Sequence, residues 1–106
     1  KVALGWKKIN GSWYYFQTSG AMRTGWLKDG SKWYYLKSSG EMQTGWLKDK
    51  GIWYYFESSG AMKTDQWFQV SGKYYYVNAS GELAVDTTID GFQVDSNGAR
   101  VEKPSQ

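Results

Sequence analysis

The chain has no cysteine, no histidine and a single proline among its 106 residues, and leucine, isoleucine and valine are scarce. Without thiols there is no disulfide framework and no thiolate metal site. Without imidazole the usual proton shuttle and the commonest transition-metal ligand are missing as well, so neither a cofactor nor a metal is expected, and no catalytic residue is assigned. No apolar run approaches the roughly 18 residues of a membrane-spanning helix, and the amino end carries no signal-peptide core, so any secretion signal is expected outside this stretch. The shortage of branched aliphatic side chains argues against an interlocked aliphatic core. Aromatics instead make up 19% of the chain and much of its 41% hydrophobic content, which suits a stack of small units sharing flat surfaces.

What is present is a repeat. Tryptophans recur seven residues apart at a period of about 20: Trp6 and Trp13, Trp26 and Trp33, Trp46 and Trp53, with Trp67 and Tyr74 as a weaker fourth pair. In register, the units read GWKKINGSWYYFQTSGAMRT from Gly5, GWLKDGSKWYYLKSSGEMQT from Gly25 and GWLKDKGIWYYFESSGAMKT from Gly45. A diverged unit starts at Asp65 with one residue added before Trp67. The expected organisation is a remnant of a preceding repeat at 1–4, hairpin repeats over 5–88, a terminal half-repeat or cap over 89–101 and a tail or linker at 102–106.

Each unit contains two short runs dense in aromatic and strand-favouring residues, the second marked by Trp-Tyr-Tyr-Phe or its equivalent. Asn10-Gly11 between them supplies the positive φ angles of a two-residue hairpin turn. The predicted fold is therefore all-β, a solenoid of stacked β-hairpins of about four full repeats plus a half-repeat. With that turn Ile9 faces Ser12, Lys8 faces Trp13 and Trp6 faces Tyr15, so Trp6, Trp13 and Tyr15 share one face. Asp29-Gly30 suggests a turn moved by one residue in the second unit, which would set Trp26 directly opposite Trp33.

A hairpin must bury a face to be stable, and burial is the plainest use for these rings. Yet the paired tryptophans keep the same chemistry in each full repeat. Two indoles and a third ring at roughly right angles form a box with negative faces inward, a site type that holds a quaternary ammonium group by cation–π attraction. Each contact contributes about 0.5–2 kcal/mol, so single sites are weak and gain from multivalency.

Taken together, the Gly-Trp, Trp-Tyr-Tyr-Phe and Ser-Gly-Ala-Met-Lys-Thr elements resemble the choline-binding repeats of pneumococcal surface proteins and cell-wall hydrolases, over residues 1–98. The resemblance implies a left-handed superhelix of hairpins that binds the choline or phosphocholine of teichoic and lipoteichoic acids, in a secreted protein attached to the bacterial cell wall. It also implies cages of two tryptophans from one hairpin, a tyrosine from the next and a methionine at the side. Carried onto this chain, these are Trp6, Trp13, Tyr35 and Met22; Trp26, Trp33, Tyr55 and Met42; and Trp46, Trp53, Tyr76 and Met62. A partial fourth site would use Trp67, Tyr74, Leu83 and Phe92. Tyr14, Tyr34, Tyr54 and Tyr75 are expected on the structural face with Phe16, Leu36, Phe56 and Val77.

A net charge of +3 describes a mildly basic surface and no nucleic-acid partner is expected. Lys8, Lys28 and Lys48 fall on the face of the tryptophans, where they could attract the phosphate to which choline is esterified. Three rival readings stand beside the choline cage. A glucan-binding module would need an open aromatic platform, and an enzyme would need a buried carboxylate pair of the kind glycoside cleavage uses. A purely structural stalk would gain no stability from choline.

Overall fold

The computed structural model describes residues 5–101, and among them all regular structure is β-strand. The expected remnant at 1–4 and the tail at 102–106 lie outside the described residues. The strands pair consecutively into hairpins: β1 (Gly5–Ile9) with β2 (Ser12–Phe16), β3 (Gly25–Asp29) with β4 (Lys32–Leu36), and β5 (Gly45–Asp49) with β6 (Ile52–Phe56). β7 (Gln66–Val70) pairs with β8 (Lys73–Val77), and a shorter β9 (Thr87–Ile89) with β10 (Phe92–Val94). The terminal half-repeat thus forms a hairpin whose first strand begins at Thr87.

The first hairpin has the expected register, with Trp6 opposite Tyr15, Lys8 opposite Trp13 and Ile9 opposite Ser12. Asn10 and Gly11 have φ of 51° and 86°, as a type I′ turn requires. The second hairpin corrects the expected shift: Trp26 lies opposite Tyr35 and Lys28 opposite Trp33, the same register as the first. Its turn residues are Gly30 and Ser31, and Gly30, at φ 66°, takes the first central position that a type II′ turn reserves for glycine. A different turn type closes the same two-residue loop, so the pairing does not move. The extra residue before Trp67 also leaves register intact, with Trp67 opposite Tyr76.

The described residues form two compact units. One takes in those up to Leu47 with Phe56–Met62, the other Lys48–Tyr55 with those from Lys63 onward. In both, the segment after a hairpin turns back onto its second strand. Phe16 bridges Met22 and Leu36 bridges Met42 in the first unit; Val77 bridges Leu83 and Val94 bridges Arg100 in the second. The outer edges of β2, β4, β6 and β8 are each covered from two places. Tyr15 O accepts from Arg23 N at 2.8 Å, and Trp13 O accepts from Met42 N, one repeat further on, at 2.9 Å. Trp33 O and Met62 N repeat this at 2.9 Å in the first unit, and Trp53 O with Leu83 N at 3.0 Å and Tyr74 O with Arg100 N at 2.8 Å in the second. Acceptors that would otherwise lie open at a strand edge are satisfied, and successive repeats are joined through backbone.

The core is one position deep in the sequence. Leu36, Phe56, Val77 and Val94, each the last residue of its second strand, are 0–1% exposed. Leu27 and Phe68, next to the first tryptophan of their hairpins, are buried beside them. Hairpins that are marginal alone gain stability by stacking these side chains.

Candidate functional site

A cavity of the first unit has a volume of about 260 Å³ and is lined by Trp6, Trp13, Tyr34, Met42 and Ser59. That is below the roughly 300–1,000 Å³ typical of drug-sized ligands and suits a small group. β1 and β2 supply the two indoles, β4 the tyrosine, and the segment after β4 the thioether. The Trp6 and Tyr34 rings meet edge to face, with centroids 5.0 Å apart and planes at 61°. Behind Trp6, Tyr15 packs at 5.2 Å and 72°. Trp6 Nε1 donates a 3.0 Å hydrogen bond to Asp29 Oδ2 of the next hairpin, which fixes the ring's rotation. Trp13 keeps 39% of its surface exposed, so one side of the cavity stays open to solvent.

This grouping differs from the expected one in two members. Tyr35 lies against Trp26 of its own hairpin, with centroids 5.2 Å apart, and does not close the first cavity. Alternation explains the difference: a ring that shares a face with its own tryptophans points away from the hairpin before, and the neighbouring Tyr34 points toward it. Tyr34, expected only on the structural face, is the third wall. The thioether is Met42, whose backbone bond to Trp13 O carries it there; Met22 is not part of the lining.

The other expected members fall out the same way. Trp26 and Trp33 are brought together at 6.3 Å with planes at 81°, the perpendicular corner of a box, and Met62 N bonds Trp33 O. Met42 therefore belongs with the first pair and Met62 with the second. Tyr55 packs on Phe68 at 5.0 Å. Tyr76 lies on Trp67 at 5.3 Å, and its hydroxyl donates to Asp65 Oδ1 at 3.3 Å. Removal from water and then the Asp65 and Asp90 carboxylates raise the Tyr76 pKa above the usual phenol value. Trp53 is 39% exposed and bonds Leu83 N through its carbonyl, while Trp46 O accepts from Gln43 Nε2 at 3.0 Å. Leu83 packs against Gly98, and its N donates to Trp53 O of the preceding hairpin. Trp67, Tyr74 and Phe92 do meet there, with Trp67 and Phe92 edge to face at 5.9 Å.

Asp29 and Asp90 each hold a tryptophan of an aromatic corner, a role the sequence reading did not assign to them. Asp90 Oδ2 takes the Trp67 Nε1 proton at 2.9 Å, the counterpart of the Asp29 bond to Trp6. The signal was available, since each aspartate follows its tryptophan by 23 residues. Among the described residues no cluster of carboxylates could hold a metal ion.

A family described as the choline-binding repeat matches residues 3–44 and 28–67, and a second family of the same description matches 61–99. The chain belongs to the choline-binding repeat family. Choline binding protein F from Streptococcus pneumoniae superposes with a TM-score of 0.89 at 54% identity, over 94% of this chain and 34% of that one. The autolysin LytC from Streptococcus pneumoniae matches with a TM-score of 0.78 at 28% identity, over 91% of this chain and 22% of that one. The Cpl-1 endolysin matches with a TM-score of 0.60 at 39% identity, over 95% of this chain and 31% of that one. This chain spans about a third of choline binding protein F. It matches no curated protein.

Proposed function

We propose that the cavity between Trp6, Trp13, Tyr34 and Met42 holds the trimethylammonium group of choline, and that the repeats thereby anchor a parent protein to choline-bearing teichoic or lipoteichoic acid at the bacterial surface. The observation that carries this reading is an aromatic enclosure of about 260 Å³ with no charged group in its lining. A permanent cation that cannot donate a conventional hydrogen bond is selected by ring electrostatics and fit, which is what such walls offer. A sugar platform would be flat, whereas this cavity is lined by three rings set at angles to one another and a thioether, with Ser59 beside them. The module is read as non-catalytic, with any hydrolase activity residing elsewhere in a parent. By repetition, the pair Trp26 with Trp33 holds a further choline.

A second, polar cavity of about 350 Å³ shares Trp13 and Met42 with the first and is lined by Lys8, Ser12, Lys37 and Glu41. A phosphate carried on the choline oxygen reaches it from the cage, which gives Lys8 a use. Lys28 and Lys48 stand over Trp33 and Trp53 at 6.0 and 5.8 Å from the ring centroids.

Calorimetric titration with choline and with dextran tests the reading. Heat with choline and none with dextran is the expected result, and Trp13→Ala reduces the number of occupied sites. Heat with dextran alone would replace the choline cage by a glucan platform.

A further inference from the structure

The terminal aromatic corner already contains a cation. Arg100 Cζ lies 4.3 Å from the Tyr74 ring centroid, 4.3 Å from that of Phe92 and 5.7 Å from that of Trp67. All three distances fall within the roughly 6 Å over which a guanidinium is attracted to a ring face. Lys28 and Lys48, by contrast, each approach one ring of their own hairpin, near the limit of that range.

The three rings correspond to those of the first cavity. Trp67 stands for Trp6 and Tyr74 for Trp13. Phe92, one position before Gln93, stands for Tyr34, and the Trp67–Phe92 contact at 5.9 Å and 81° repeats the edge-to-face meeting of Trp6 with Tyr34. The Asp90 bond to Trp67 Nε1 repeats that of Asp29 to Trp6. Arg100 occupies the methionine position, because its N donates to Tyr74 O at 2.8 Å as Met42 N does to Trp13 O at 2.9 Å. Where the first cavity has a neutral thioether along one wall, the last has a positive side chain long enough to enter it.

We infer that Arg100 is the resident cation of the Trp67–Tyr74–Phe92 cage and keeps choline out of it. A guanidinium among the rings takes the electrostatic attraction that a free ammonium would use, and like charge repels a second cation. The last junction is then held together without ligand. For what it says of choline, this inference rests on the cage reading of the first cavity; the placement of Arg100 does not.

Nuclear magnetic resonance on the 106-residue protein separates the two. Without ligand, the Arg100 side-chain protons should be displaced upfield by the ring currents of Tyr74 and Phe92; positions typical of a free arginine would overturn the inference. Under choline, the Trp6 indole N–H should shift saturably and that of Trp67 should not, whereas in Arg100→Met both should shift, with affinities within about tenfold of each other. A saturable Trp67 shift in the unaltered protein, or a silent Trp67 in a folded Arg100→Met variant whose Trp6 responds, would also overturn it. If Trp6 is silent throughout, the choline reading fails and the ring-current result alone decides where Arg100 resides.

Discussion

Trp6 and Trp13 could be assigned from spacing because a tryptophan pair at a fixed separation within a hairpin depends only on local strand geometry. Tyr34 could not be separated from Tyr35 in that way: both are tyrosines in adjacent positions, and the choice depends on which face of β4 turns toward the preceding hairpin. Replacing each in turn makes the difference measurable. Tyr34→Leu is expected to weaken choline binding at the first cavity by about 2- to 30-fold, the equivalent of one cation–π contact of about 0.5–2 kcal/mol, while Tyr35→Leu leaves that cavity's affinity nearly unchanged. Titration followed at the Trp6 indole resonance checks it, and equal losses would return Tyr35 to the cage. The phenols also set an alkaline limit. Tyr76 has its pKa raised by loss of hydration and by Asp65 and Asp90, and Tyr54 by burial and then by Glu82 and Asp49. A group whose folded pKa lies above its unfolded value binds its proton more tightly in the folded state. Its contribution is therefore complete below the unfolded pKa of about 10 and is lost as pH rises through the higher folded value. Melting temperature should fall above about pH 10, and less steeply in Tyr76→Phe, as a series of thermal melts in alkaline buffers would show.

At the scale of the hairpin, the register of β1 and β2 was legible because Asn10-Gly11 fixes one turn type and the tryptophans fix the face. The second hairpin was misjudged because Asp29-Gly30 resembles a type I′ turn moved by one residue, whereas Gly30 serves at the first position of a type II′ turn and keeps the register. The segments between hairpins held a further feature that composition hides. Gly60, at φ +92°, lies so close to Met42 that a Cβ there would meet the Met42 sulfur. Gly40 stands in the same relation to Met22, at φ +94°. These glycines admit the thioether as well as the left-handed backbone. Gly60→Ala is expected to cost about 1–3 kcal/mol, from backbone strain plus displacement of Met42, and to weaken choline at the first cavity because the thioether wall moves. Gly11→Ala, at φ +86° with open space around it, has only the strain term. Denaturant melts of both variants, set beside choline titrations, distinguish them: Gly11→Ala should lose stability and keep its affinity.

In the whole chain, the count of repeats and the all-strand architecture were readable because a 20-residue period with turn glycines permits little else. What joins one repeat to the next was not, since the bonds from Met42 N to Trp13 O and from Leu83 N to Trp53 O span 29 and 30 residues and leave no local trace. Those joints determine how ligand and stability are coupled. The first cavity takes its indoles from β1 and β2, its tyrosine from β4 and its methionine from beyond β4, so a cation bound there would bridge two hairpins of one compact unit. In a repeat array stability is approximately a sum of weak units and the interfaces between neighbours, and a ligand held at an interface adds directly to that interface. Choline at 100 times its dissociation constant should therefore add about 2.7 kcal/mol per filled site, on the order of 10 °C in melting temperature for a chain of this size. Calorimetric melts at increasing choline should show the midpoint still climbing with the logarithm of concentration after binding saturates. Trp13→Ala should blunt that climb, because the unfolded chain has no cage to offer and the altered first cavity no longer contributes its share. A midpoint indifferent to choline would mean that the rings serve packing alone and that the chain is a stalk.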